Sequence, residues 1–149
     1  MKILAYGDDA GYMHTLDVST LEKLKAAFIS ELNLTYFNER KQAQLNTPKP
    51  DFTEDEIDKL PESLKEDARN KLKVYENTIR MREDEYNTLL EIAKEIVEAK
   101  TEKEVFAAAE NNFDYFEALL AGCGRNQFCG LEDPLKRLDE EGKKLLNLE

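Results

Sequence analysis

The stretch from Pro61 to Lys100 contains no glycine, and its only proline is the first residue. Proline is favoured at the first position of a helix, where its missing N–H group would have no partner. From Ala68 onward, apolar residues recur at alternating steps of four and three, with Arg82 on one position of the series. This is the heptad period of a helix that buries one stripe. The apolar positions are Leu64, Ala68, Leu72, Tyr75, Ile79, Tyr86, Leu89, Ala93 and Ile96. The stretch therefore predicts one long helix of about 38 residues.

Charge along this predicted helix falls into two bands. Residues 69–82 carry five basic residues and one acid, a sum of +4, whereas residues 83–104 carry eight acids and three lysines, a sum of −5. A straight helix of this length would extend for roughly 57 Å, more than the diameter of a compact domain of this size. Antiparallel pairing of two copies would set unlike bands against each other, which predicts a homodimer through the long helix. The alternative is that both bands are solvated faces of a packed helix.

The length and charge of the chain limit its class. The 149 residues predict a single domain over 1–149 with a hydrophobic core of its own. A net charge of −11 would repel nucleic acid phosphates and anionic membranes, so we expect neither as a direct ligand. The chain begins with a strand-like run in place of a secretion signal, and it has no apolar run long enough to cross a membrane. Two cysteines do not make a secreted disulfide framework, and we expect a cytoplasmic protein.

Hydrophobic periodicity and turn residues predict a helix-dominated α+β fold, with an N-terminal β-hairpin packed on a bundle of four to five helices. We divide the chain into a hairpin over 1–18, a helical region over 19–60, the long helix over 61–100 and C-terminal helices over 101–149. Within these regions we expect strands at 2–7 and 11–18, and helices at 20–33, 53–60, 102–121 and 134–147. The first helix could continue to about residue 45, or residues 34–37 could form a third short strand.

Helix-start signals support these boundaries. Three Ser/Thr-x-x-Glu capping boxes occur, and an Asp-Pro pair precedes the last helix. They are Ser19–Glu22, Thr53–Glu56, Thr101–Glu104 and Asp133-Pro134. The helix after the third box has apolar residues spaced for one buried face, namely Val105, Phe106, Ala109, Phe113, Phe116, Leu119 and Leu120. We expect this helix to fold back against the long helix and to supply the aromatic core.

The tetrapeptide Tyr6-Gly7-Asp8-Asp9, placed between two strands, resembles the catalytic hairpin of RNA-dependent polymerases. The resemblance would make the paired aspartates metal ligands, but it covers four residues only, and none of the other polymerase motifs is present. Gly-Asp-Asp is also ordinary turn composition. His14 and Asp17 have an odd spacing and so fall on opposite faces of a strand. We therefore predict no metal site, no cofactor and no catalytic residues.

The segment 122–130 is rich in glycine and amides and contains Cys123 and Cys129. It is predicted to be a loop between two helices, and the sequence leaves open whether its cysteines are free or bonded. Its backbone N–H groups could bind an anion. Together with the basic band it gives the alternative function, a binder of a small phosphorylated ligand or nucleotide. The residues of that site would be Arg69, Arg80, Arg82, Gly124, Arg125, Asn126 and Gln127.

Residues 51–67 hold eight acids and two lysines, a sum of −6. On helices such carboxylates form rows of negative charge that can imitate a phosphate backbone. The leading hypothesis is a non-enzymatic, acidic protein-binding module that occupies a basic, nucleic-acid-binding surface of a partner. Small phage-encoded inhibitors are similar in outline, which suggests a phage or another mobile element as one source. The predicted contact residues are Phe52, Glu54, Asp55, Glu56, Asp58 and Glu62. The alternative is that the acidity serves solubility alone.

Overall fold

A computed structural model of the protein describes residues 3–7, 12–49, 54–120 and 127–148. In this structure the fold is a helix-dominated α+β arrangement with a small sheet and one long helix, as the periodicity predicted. Among the described residues, no helix combines the length and the apolar character that crossing a membrane requires.

The sheet has three strands, with β2 in the centre. Strands β1 (Ile3–Gly7) and β2 (Tyr12–Asp17) pair antiparallel, which confirms the predicted hairpin. Strand β3 (Gln127–Glu132) pairs parallel with the other edge of β2. The prediction of a loop through residues 127–130 is therefore wrong for that part of the segment. The physical reason is that a lone two-stranded hairpin is marginal in water, and a third strand satisfies the backbone groups along β2.

Helices α1 (Leu21–Ser30) and α2 (Leu34–Leu45) replace the predicted helix that began at residue 20. Asn33 separates them with a φ of 51°, a left-handed conformation that asparagine tolerates better than most residues. Residues 34–37 are helical, which decides between the two predicted alternatives. Thr20 caps α1 by accepting a hydrogen bond of 3.1 Å from the Lys23 backbone N–H. The predicted cap, Ser19, was thus one residue too early.

Helix α3 (Glu54–Asp58) is short, and helix α4 (Glu62–Glu98) is the predicted long helix, with 37 residues. The Pro61 carbonyl accepts hydrogen bonds from the backbone N–H groups of Leu64 and Lys65, so the helix starts directly after this proline. Glu56 lies in α3, but its predicted capping partner Thr53 lies outside the described residues.

The predicted helix over 102–121 is two helices, α5 (Glu102–Asn111) and α6 (Phe113–Leu120). The third capping box is confirmed, because Thr101 accepts a hydrogen bond of 3.1 Å from the Glu104 backbone N–H. Asn112 interrupts the helix with φ −124° and ψ 42°. Its side chain donates to the Ala108 carbonyl at 2.9 Å, the kind of local bond by which asparagine competes with helical structure.

The C-terminal helix is also divided, into α7 (Pro134–Arg137) and α8 (Glu140–Leu145). Asp133 caps α7 by accepting from the Leu135 backbone N–H at 3.0 Å, as the Asp-Pro pair predicted. Asp139 then caps α8 by accepting from the Gly142 backbone N–H at 2.8 Å. A second capping residue in the middle of the predicted helix explains the division.

The chain divides into two compact units, a first unit of Met1–Thr35 with Thr88–Glu149 and a second unit of Tyr36–Asn87. In the first unit the Phe28 ring is fully buried, and its centroid lies 5.5 Å and 5.3 Å from the Phe106 and Phe116 centroids. Both contacts have the edge-to-face geometry that aromatic rings favour. The second unit buries Ile57, Ala68 and Tyr86. A single domain over 1–149 stays a prediction.

Candidate partner-binding surfaces

Helix α3 and the first turn of α4, in the second unit, carry acidic residues predicted to contact a partner. Glu56, Asp58 and Glu62 are exposed, and the Glu62 side chain keeps 90 % of its accessible surface. Glu54 and Asp55 belong to α3, and Phe52 lies outside the described residues. Regular backbone holds the Cα atoms of these residues, on a short helix and on the first turn of a long one.

An ion pair joins α3 to α4. Arg69 Nη2 lies 3.0 Å from Asp58 Oδ1, and the two side chains are 52 % and 62 % exposed. An exposed pair of this kind contributes at most about 1 kcal/mol to stability. It does bring together one residue of the predicted partner surface and one of the alternative ligand site. Arg69 therefore already has a carboxylate partner within the chain.

Two further arginines of the second unit surround one carboxylate. Glu85 Oε2 lies 3.5 Å from Arg82 Nη1 and 3.8 Å from Arg40 Nε, so it faces guanidinium groups from both α4 and α2. This oxygen is shielded from solvent and has no hydrogen-bond partner within the described chain. Arg80, the remaining arginine of the basic band, is exposed. Arg82 therefore pairs within the chain, as Arg69 does.

The glycine-rich half of the alternative site is described only at its end. Gly124, Arg125 and Asn126 lie outside the described residues, as does Cys123, whereas Gln127 opens strand β3 in the first unit. The basic band lies in the second unit. The two halves of the alternative site thus belong to different units, and the phosphorylated-ligand hypothesis stays a prediction.

The acidic residues of the predicted hairpin also lie partly outside the described residues. Asp8 and Asp9 lie outside the described residues. Asp17 accepts a hydrogen bond from Lys23 Nζ at 2.8 Å and another from the Ser19 backbone N–H at 3.0 Å. The Lys23 and Ser19 hydrogen bonds lower the pKa of Asp17 to about 2. Asp17 therefore connects β2 to α1, and no group of three His, Cys, Asp or Glu residues that could hold a metal occurs in the described parts of the chain.

A surface that the sequence did not predict lies on α5 and α6. Phe113 and Tyr115 are 43 % and 45 % exposed, and the nearby Glu110, Asp114 and Glu117 are exposed as well. We call these five residues the acidic–aromatic surface. Phe113 was predicted to lie in the core, and that prediction is wrong because the break at Asn112 changes the direction of the residues that follow. The pair Asn111-Asn112 was the signal, since asparagine is a weak helix former.

The long helix also leaves two apolar side chains in solvent, Val74 at 63 % and Met81 at 57 % exposure, one heptad apart. A depression of about 330 Å³ beside Val74 is lined by residues of this one helix, Asp67, Asn70, Lys71 and Val74. The C-terminal part of the predicted seam, Leu89, Ala93 and Ile96, is buried in the chain. In the N-terminal part of the seam Ala68 is buried and Leu72, Tyr75 and Ile79 are half-buried, and the homodimer stays a prediction.

Comparison of the chain with protein-family models, with curated proteins and with solved structures gave no match.

Proposed function

We propose that the protein is a non-enzymatic, acidic protein-binding module that docks on a basic, nucleic-acid-binding surface of another protein. The observation that carries the proposal is the row of exposed carboxylates on α3 and on the first turns of α4, which we call the acidic row. Its described members are Glu56, Asp58, Glu62, Glu66 and Asp67. The segment 51–67 that contains them has a net charge of −6.

The spacing of these charges suits a groove that normally holds nucleic acid. Glu62 and Glu66 stand one helical turn apart, an axial rise of about 6 Å. Successive phosphates of one DNA strand rise by about 3.4 Å along the duplex axis, so every second phosphate is displaced by about 7 Å. A rigid helix thus offers carboxylates at a spacing close to that of every second phosphate of a strand. A module of this kind acts by occupying the groove, so nucleic acid and the module compete for it.

Electrostatic attraction alone would not hold such a complex. Attraction between exposed charges is screened beyond about 8–10 Å at physiological salt, and it acts mainly on the association rate. Residence time comes from buried anchors, which are most often aromatic side chains or arginine. Phe52, beside the acidic row in sequence, is the anchor that we propose for this surface.

The experiment compares two triple charge reversals that change the net charge equally. The test variant carries Glu56→Lys, Asp58→Lys and Glu62→Lys. The control variant carries three reversals of exposed acids outside the row, Glu22→Lys, Glu91→Lys and Glu98→Lys. The test variant, the control variant and the original chain each serve as bait for proteins of the natural host. Duplex DNA is then added as a competitor.

We expect the original chain and the control variant to retain the same basic, nucleic-acid-binding protein, and duplex DNA to displace both. The test variant should lose it. Retention by the test variant at the level of the original chain would overturn the proposal. If the test variant then behaved like the original chain in its natural assay while Arg125→Ala lost function, the phosphorylated-ligand hypothesis would take its place.

A further inference from the structure

We infer that the acidic–aromatic surface is a second docking surface and that it takes an arginine-rich surface of a protein. The inference rests on the proposed function for the choice of a protein as the partner. It adds a different part of the chain, in the first unit, and names the side chain that the partner presents there.

The turn between α5 and α6 is held from both sides. Asn112 Nδ2 donates to the Ala108 carbonyl in α5 at 2.9 Å and lies 3.4 Å from Glu95 Oε2 in α4. The Tyr115 backbone N–H donates to the Asn112 carbonyl at 3.0 Å. These bonds fix the backbone of both aromatic residues, so little conformational freedom is lost when a partner binds them.

Next in the chain, Phe116 is fully buried and packs edge to face on Phe28 at 5.3 Å. Burial of this ring anchors α6 in the core and sets which of its side chains face solvent. Single exposed apolar residues are common on protein surfaces. Here two aromatic side chains, Phe113 and Tyr115, are exposed on either side of Asp114 on an anchored helix, and aromatic side chains are common binding anchors.

The charge around these rings is of one sign. The sequence from residue 104 to 124 contains four acids and no lysine or arginine. Glu110, Asp114 and Glu117 are exposed, and none of them forms an ion pair within the described residues. A partner surface that is complementary to this one must therefore be positively charged.

Arginine meets both features better than lysine does. Its planar guanidinium group stacks on aromatic faces and binds a carboxylate through two parallel hydrogen bonds, and it is less strongly hydrated than an ammonium group. Lysine offers a strongly hydrated point charge with no stacking plane. A surface with two exposed rings among carboxylates should therefore discriminate between the two cations.

The test uses the full chain and two peptide probes of equal length, one of arginine and one of lysine. Amide chemical shifts are followed during titration at low salt, for the original chain and for the double variant Phe113→Ala, Tyr115→Ala. The matched control is Tyr36→Ala, which removes a ring that is 57 % exposed in the second unit. A second variant, Asp114→Asn with Glu117→Gln, keeps both rings and removes two charges.

We expect the arginine peptide to shift the amides of residues 110–117 and to bind more tightly than the lysine peptide. Loss of both rings should weaken arginine binding by about five- to tenfold and remove most of the preference. The Asp114→Asn, Glu117→Gln variant should bind both peptides more weakly, and Tyr36→Ala should leave the affinity for both peptides unchanged.

The inference is overturned if shifts spread evenly over all acidic residues, or if the double variant binds both peptides like the original chain. It is also overturned if residues 110–117 shift on concentrating the chain alone, because the occupant is then a second copy. Shifts confined to α3 and the start of α4 would refute this inference and leave the proposed function standing. If the amides of residues 110–117 shift but charge reversal in the acidic row does not affect partner binding, this inference stands and the proposed function is refuted.

Discussion

Gly142→Ala should destabilise the protein, although alanine is the better helix former. Gly142 lies in α8 and is buried. A Cβ atom built there would lie 3.0 Å from Leu138 Cδ2, 3.1 Å from Asp139 Oδ1 and 3.2 Å from Ile29 Cγ2. Leu138 and Ile29 are 5 % and 1 % exposed, so both neighbours belong to the core and have little room to move.

Asp139 has little freedom either. Its Oδ1 atom caps α8 through the Gly142 backbone N–H at 2.8 Å, and its Oδ2 atom accepts from the Thr35 backbone N–H at 3.0 Å. Alanine gains about 1 kcal/mol over glycine in helix propensity. Overpacking of a well-packed site costs about 1–3 kcal/mol, and disturbance of an N-cap costs about 1 kcal/mol more. The expected net effect is a destabilisation of about 1–3 kcal/mol, obtained by subtracting the first figure from the sum of the other two.

Thermal and urea unfolding of the full chain measure this effect, and the Tm should fall by roughly 2–12 °C, since 1 kcal/mol corresponds to about 2–4 °C at this chain length. Thr88→Ala, at an exposed position of α4 in the same unit, is the control and should be neutral or slightly stabilising. In a Leu138→Ala background, which removes the shortest contact, the cost of Gly142→Ala should shrink by at least about 0.5 kcal/mol. A Gly142→Ala protein that is more stable than the original chain would refute the reasoning.

We expect three further outcomes, the first from the structure and the other two from the sequence. Because the folded pKa of Asp17 is lowered from 3.8 to about 2, its stabilisation is present above pH 3.8 and is lost as the pH falls toward 2; Asp17→Asn should lower the Tm at neutral pH and flatten its decline over that window. The predicted homodimer should give twice the chain mass in light scattering at micromolar concentration, and Ile79→Asp should reduce that mass with an unchanged far-ultraviolet circular dichroism spectrum; a monomer mass at all concentrations and salts would refute it. Asp8→Ala with Asp9→Ala should leave partner binding intact, and Mg²⁺ should give no thermal shift, whereas lost binding in a folded variant would revive a metal site.

Local signals in the sequence predicted much of the fold. The turn residues after β1 indicated the hairpin, Pro61 and the heptad period indicated α4, and Thr101 and Asp133 marked the starts of their helices. Each of these signals depends on residues that are close together in the sequence. The sequence could not predict β3, because its parallel partner β2 lies more than a hundred residues away.

Helix interruptions were also missed, because asparagine and aspartate are compatible with both a helix interior and its end. Asn33, Asn112 and Asp139 each end or start a helix through a backbone conformation or a hydrogen bond that depends on surrounding structure. Because the break at Asn112 was missed, the acidic–aromatic surface was not predicted. The exposure of the acidic row followed from charge on helices, whereas its ion pair between Asp58 and Arg69 depends on how the chain turns between α3 and α4.

The most direct test of the acidic row is the association rate with the captured basic partner, measured by stopped flow across a range of salt concentrations. The original chain should associate more slowly as salt increases. The Glu56→Lys, Asp58→Lys, Glu62→Lys variant should associate at least about tenfold more slowly at low salt and depend less on salt, while the matched control reversal stays close to the original chain. Equal rates and equal salt slopes for the test variant and the original chain would contradict the account.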